Sequence, residues 1–165
     1  NGALPHATPS DKEIEKGDFI VMDFGSLYKG YHADMTRTIV VGEASERHHE
    51  IYNIVLESQL AGIAAAKSGI KCSELDNACR EVIDAKGYGE LFMHSTGHGL
   101  GLEVHTMPRI TWMNHSLLEE NNVITIEPGI YIAGWGGVRI EDDCLILKDQ
   151  CRPMNSSTKE LVVVD

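Results

Sequence analysis

No stretch of the 165-residue chain approaches the roughly 20 consecutive apolar residues that a membrane-spanning helix needs, so a membrane protein is excluded and a soluble one is expected. Basic residues are scarce. Lys and Arg number 14 against 25 Asp and Glu, for a formal net charge of −11. Without clustered Lys and Arg, a nucleic-acid partner is not expected, because phosphate binding depends on them. The only four cysteines, Cys72, Cys79, Cys144 and Cys151, form no CxxC pair, which argues against a thiolate zinc site or a dithiol redox motif. They read as free thiols in a reducing, cytoplasmic setting. The first residues, 1–9, have neither a basic start nor an apolar core and so do not resemble a secretory leader. There is no initiator Met either, and the chain is expected to be part of a larger unit.

What is present is ordinary globular composition, 42% apolar and 24% charged, in a length suited to one domain with a substantial core. Gly17-Asp18 followed by Phe19-Ile20-Val21-Met22 reads as a turn entering a buried strand. Residues 25–30 are turn-like and residues 31–41 resume extended character, giving a first hairpin. Ser45 suits the N-cap of a helix with an Ile51, Ile54, Val55, Ala61 stripe that stops near Gly69. Ser73 suits the cap of a shorter helix ending near Lys86-Gly87. A Gly- and His-rich stretch follows over 93–105, then strands over 123–127 and 138–147 around a Gly-rich loop. Hairpin, helices, hairpin is the order of an α+β fold with a mostly antiparallel sheet. A shift of 104 residues lays Phe19–Gly25 over Val123–Gly129, each an apolar strand, an acid, one residue and Gly.

Chemistry gathers at acids inside these apolar strands. If the first hairpin turns around Tyr28-Lys29, Asp23 and Asp34 face each other; if the second is centred on Gly134, Glu127 faces Glu141. Paired like charges in buried strands are costly unless a cation or a shared proton relieves them. His98, within Gly97-His98-Gly99-Leu100-Gly101, adds an imidazole whose glycine neighbours leave room for something to approach. Four carboxylates and one imidazole suit two divalent cations, and an oxygen-rich donor set favours Mn(II), Co(II) or Fe(II) over a thiolate-type zinc site. His48, His49 and His115 read as solvated side chains.

These motifs resemble the pita-bread metallopeptidases, and within them the Xaa-Pro group of prolidase and aminopeptidase P. The resemblance is carried by Pro5-His6, Met22-Asp23-Phe24-Gly25, residues 30–38, residues 97–105, Ile126-Glu127-Pro128-Gly129-Ile130-Tyr131 and residues 138–143, in family order along nearly the whole chain. It implies a catalytic domain of two related halves with a curved sheet, here without its first helical segment and without an upstream N-terminal domain. It implies five metal ligands, Asp23, Asp34, His98, Glu127 and Glu141, with Asp34 and Glu141 bridging two cations, most readily Mn(II) or Co(II), with Fe(II) or Zn(II) as alternatives. Glu127 would move the proton of the attacking water, His105 would contact the substrate carbonyl, and His6 would face the bound peptide. Arg139 would lie beside the metals, and His94 would line the pocket or support a ligand. The implied activity is hydrolysis of the bond preceding proline in short peptides, by a cytoplasmic homodimer. A methionine aminopeptidase is disfavoured because Glu141 precedes Asp142-Asp143 and Pro128 precedes Gly129. A non-catalytic binding module and a metal-free creatinase-type enzyme are disfavoured by the presence of all five ligand types. Thr106 stands where many relatives carry an acid.

Overall fold

In the computed structural model, which describes residues 2–165, an N-terminal segment without helix or strand leads into β1 (Phe19–Phe24). Its aromatic and β-branched residues favour the pleated, half-buried state. Two short strands, β2 (Leu27–Tyr28) and β3 (Tyr31–His32), form a hairpin tip, and β4 (Met35–Val41) returns antiparallel to β1. The tip turns at Lys29-Gly30, with φ of 51° and 86°. Both values are positive, as a two-residue hairpin loop matching strand twist requires. The turn is therefore one residue later than the spacing reading placed it. Asp23 pairs with Thr36, not with Asp34.

Helix α1 (Glu46–Ala65) begins at Ser45, whose hydroxyl accepts from the His48 amide while the His48 ring reaches back to the Ser45 amide. An imidazole thus takes the part usually played by Glu or Gln in a capping box. The helix buries Ile51, Ile54, Val55, Ser58, Gln59 and Gly62 on one stripe and ends at Ala66, before the expected Gly69. Gly62 is where it crosses its neighbours: a Cβ there would lie 2.5 Å from Cys79 Sγ and 2.9 Å from Ile126 Cγ2. Helix α2 (Cys72–Ala85) starts one residue before Ser73 and buries Cys72, Leu75, Asp76, Cys79 and Ile83. Among the described residues no helix precedes β1, and none is long and apolar enough to cross a membrane.

The remaining chain supplies β5 (Gly97–Gly99), β6 (Thr106–Ile110), β7 (Val123–Ile126), β8 (Gly129–Ile132), β9 (Gly136–Arg139), β10 (Asp142–Ile146), β11 (Cys151–Pro153) and β12 (Val162–Val164). One sheet has the order β1-β4-β12, a second β11-β10-β7-β5-β6, and β8-β9 is a separate hairpin. Ladders are antiparallel except β12 on β4, which is parallel. The second long hairpin is centred on Gly134 as its spacing suggests, with Gly129 opposite Arg139 and Ile126 opposite Asp142 in one continuous register. It is interrupted at Glu127 and at Glu141, which belong to no strand. The two segments related by the 104-residue shift become β1 and β7, one in each sheet. Phe19, Val40, Ile51, Val55, Leu75, Ile124, Ile126 and Val138 belong to one continuous apolar core.

Candidate metal centre

The slip in the first hairpin is two residues, and side chains on a strand alternate with period two. Asp34, just ahead of β4, is two positions from Thr36, the residue opposite Asp23, and its carboxylate still reaches the same side. Asp23, Asp34 and Glu141 each present an oxygen within 4.8 Å of the others. Glu141 also belongs to a second such group with His98 and Glu127, so the five donors form one connected cluster. The first sheet brings Asp23 and the flanking Asp34, and the second brings His98 with the flanking Glu127 and Glu141. The site lies across the seam between the sheets.

Local constraints fix each donor. The glycines beside His98 admit backbone rather than ligand: a Cβ on Gly97 would lie 2.0 Å from Thr125 O, and one on Gly99 2.2 Å from Met107 O. They let β5 fit between β6 and β7. His98 Nδ1 lies 3.0 Å from the Gly99 carbonyl, which only accepts, so Nδ1 carries the proton. Nε2 then points at Glu127 Oε1, 3.2 Å away, and towards Asp34 Oδ2 at 3.8 Å. Thr125 Oγ1 accepts from the His98 amide at 3.0 Å and donates to Glu127 Oε1 at 2.9 Å. Thr36 Oγ1 donates to Glu141 Oε2 at 2.5 Å. The Asp34 amide donates to Asp143 Oδ2 at 3.1 Å.

The electrostatics are those of a crowded anion cluster. Burial, then the charges of Asp23 and Glu127, pushes the Asp34 carboxyl up to about 6. Burial, then Glu127 and Asp34, holds Glu141 well above the usual carboxylate range. Burial also raises Glu127, but the hydrogen bond and charge of His98 outweigh it and carry that carboxyl down. Burial lowers His98, and Glu127 more than reverses this, so the imidazole titrates above its usual value. Glu141 is 2% exposed and Asp34 9%. Buried acids in this state fit a divalent cation shell: four oxygen donors, one imidazole nitrogen with a defined tautomer, and no thiolate.

Above the cluster lies an open cleft of about 390 Å³, lined among others by His6, Phe24, Leu27, His32, Val104 and His105. The His105 ring sits 4.3 Å from that of His98, exposed to the cleft. His6 is held at its edge because the preceding Pro5 carbonyl accepts from Arg139 Nη1 at 3.1 Å. Arg139 itself is outside the cleft, 3% exposed, with its donors turned inward. Nη2 contacts Asp23 Oδ2 at 2.6 Å, Nε contacts Thr36 Oγ1 at 3.1 Å, and Nη1 also reaches Tyr131 Oη at 2.9 Å.

His94 is likewise absent from the cleft wall. Its Nδ1 donates to the Ser95 carbonyl at 2.9 Å, so Nε2 accepts from Tyr131 Oη at 2.9 Å. Tyr131, its hydroxyl pushed up to about 12 chiefly by burial, therefore joins His94 to Arg139. Of the histidines read as solvated, His49 and His115 are exposed, but His48 is buried. It contacts the Gly17 carbonyl at 3.1 Å and stacks on Trp135. Sequence alone assigns Thr125 no role, and Thr36, Tyr131 and Asp143 only a place in motifs, because only the assembled sheets bring them to the cluster.

Residues 1–148 match the model of metallopeptidase family M24. The chain is 52% identical over 160 residues to an Xaa-Pro dipeptidase of Pyrococcus furiosus, covering 97% of this chain and 46% of that protein. An Xaa-Pro dipeptidase structure from Bacillus anthracis superposes with a TM-score of 0.96 at 51% identity, over 99% of this chain and 46% of that one. An X-Pro aminopeptidase structure from Thermotoga maritima gives 0.96 at 47% identity, again over 99% and 46%. The chain thus spans about half the length of these relatives, and the α+β arrangement described above is their pita-bread fold. With its fold, its acid cluster and these likenesses in agreement, the chain belongs to metallopeptidase family M24.

Proposed function

We propose that this chain carries the catalytic centre of an Xaa-Pro peptidase, hydrolysing the bond that precedes proline in short peptides. Its five donors, Asp23, Asp34, His98, Glu127 and Glu141, would hold two divalent cations. The observation that carries the reading is the pair of donor groups sharing Glu141. The oxygen-rich set favours Mn(II) or Co(II), with Fe(II) and Zn(II) as the alternatives. When bound, such cations polarise a carbonyl and lower the pKa of water.

The protein's residues supply the rest. Thr125 donates to Glu127 Oε1, which aims the carboxylate inward. Glu127 accepts the proton as water's oxygen bonds to the scissile carbonyl carbon. It returns that proton to the proline nitrogen as the carbon–nitrogen bond breaks. His105, whose ring burial and the neighbouring His98 charge hold below its usual pKa, donates to the carbonyl oxygen as negative charge develops there. His6 faces the peptide from the opposite lip. Arg139 and Tyr131 keep Asp23 in place from below. The four buried, unpaired cysteines support a reducing, cytoplasmic location.

The test is an assay of the metal-loaded protein on Xaa-Pro and Xaa-Pro-Yaa peptides beside an Xaa-Ala control, with metal analysis. Cleavage before proline that is lost on chelation and restored by Mn(II) is expected. Cleavage of the control alone, or activity indifferent to chelation, would contradict the reading.

A further inference from the structure

The two sheets that supply the donors are joined by a buried ionic clamp, and we infer that Arg37 is the positioning residue that holds the two half-sites in register, with the C-terminal strap over 157–160 as its partner. The inference rests on reading the acid cluster as a metal centre.

Arg37 lies on β4 of the first sheet and is 7% exposed. A guanidinium has five N–H donors in a fixed fork, and all five are engaged. Nη1 donates to the carbonyls of Thr36 at 2.9 Å and Glu141 at 2.6 Å. Nη2 contacts Asp142 Oδ1 at 2.7 Å and the Ser157 carbonyl at 3.2 Å, and Nε reaches the Thr158 carbonyl at 2.9 Å. One side chain thus grips the backbone of Thr36, which bonds the Glu141 carboxylate, and the backbone of Glu141 itself.

The acid it faces is wholly buried. Asp142 Oδ2 also meets Lys159 Nζ at 2.5 Å and Gln59 Nε2 at 3.0 Å, and Lys159 reaches Gln59 Oε1 at 3.0 Å. Tyr52 Oη donates to the Lys159 carbonyl at 3.2 Å, tying the strap to α1. The strap leaves β11 at the edge of the second sheet and enters β12 at the edge of the first. It lies beyond the residues matched by the family model, which end at 148. A buried ion pair of this kind gives little net stability over an apolar pair, but it fixes geometry, and breaking it is costly. Residues that orient a ligand typically change metal affinity 10–100-fold.

The test is calorimetric titration of the metal-free full chain with Mn(II), alongside thermal unfolding without metal. Arg37→Lys keeps a cation for Asp142 but loses the fork, and is expected to weaken Mn(II) binding by about 10–100-fold. Lys159→Met is expected to weaken it in the same direction by less. Ser58→Ala removes a buried bond to the Cys79 carbonyl (2.8 Å) between the helices, a bond that includes no member of the clamp although Gln59 is the next residue. It is expected to lower Tm while leaving Mn(II) affinity unchanged. Should Arg37→Lys fail to fold, Lys159→Met decides on the same criterion. Unchanged affinity in the clamp variants, or an equal loss in Ser58→Ala, would overturn the inference. A parent chain that binds no Mn(II) would overturn the metal-centre reading and this one with it.

Discussion

Arg139 Nη2 lies 2.6 Å from Asp23 Oδ2, a bond between an almost fully buried guanidinium and a carboxylate whose side chain is 44% exposed. The same guanidinium satisfies Thr36 and Tyr131, so it links the first sheet to the β8-β9 hairpin beneath the cluster. Arg139→Lys retains charge but not the fork, and is expected to lower kcat/KM by about 10–100-fold. Steady-state kinetics with metal content measured on the same sample checks this. Parent-like activity would make Arg139 a packing residue only.

The metal-free cluster is expected to be less stable at neutral pH than near pH 4. Asp34 and Asp143 are pushed up to about 6 by burial, from an ordinary 3.8. Groups with raised acid pKa bind protons more tightly when folded, so their contribution to stability falls as pH rises between about 4 and 6. Metal-free Asp34→Asn, which removes one like charge, is expected to melt above the parent at pH 7 and to lose that advantage by about pH 4. Melting curves at the two pH values decide it, and an Asn variant less stable at pH 7 would contradict the repulsion.

His105 faces the cleft beside His98, with a ring nitrogen within 4.8 Å of an Asp34 oxygen. His105→Ala is expected to cut kcat by about 10²–10³, the usual cost of one oxyanion donor, at near-normal metal content. Equal loss of metal and rate would instead make it a ligand.

Gly97→Ala is expected to be severely destabilising, since its Cβ would meet the Thr125 carbonyl at 2.0 Å, whereas nothing lies within 4 Å of a Cβ on Gly101. Overpacking of this kind costs about 1–3 kcal/mol or more. Gly101→Ala is the matched neutral control. Comparable Tm values for the two variants would show that β5 is not packed as described.

The acids were legible because they interrupt apolar strands, where an unpaired carboxylate needs a reason. The first hairpin's register was not legible: Asp23 faces Thr36 and not Asp34, yet the two carboxylates still meet beside Glu141. Glycines around His98 looked like room for a ligand and are instead close approach between strands. His48 looked solvated because its neighbours are polar; its partners, Gly17 and Trp135, are 31 and 87 residues away in sequence. Arg37 has no role in the sequence beyond its place in a motif, and Arg139 is placed beside the metals only by the family resemblance. Their acidic-site partners, Glu141 for Arg37 and Asp23 for Arg139, lie more than 100 residues along the chain, a separation that carries no local periodicity.

The most direct test is diffraction from crystals soaked in Mn(II), with anomalous data at the manganese edge. Two peaks about 3.5–4 Å apart are expected, both bounded by Asp34 and Glu141, one also by Asp23 and the other also by His98 and Glu127. Peaks elsewhere, or a single peak that leaves Glu141 uncoordinated, would contradict the account.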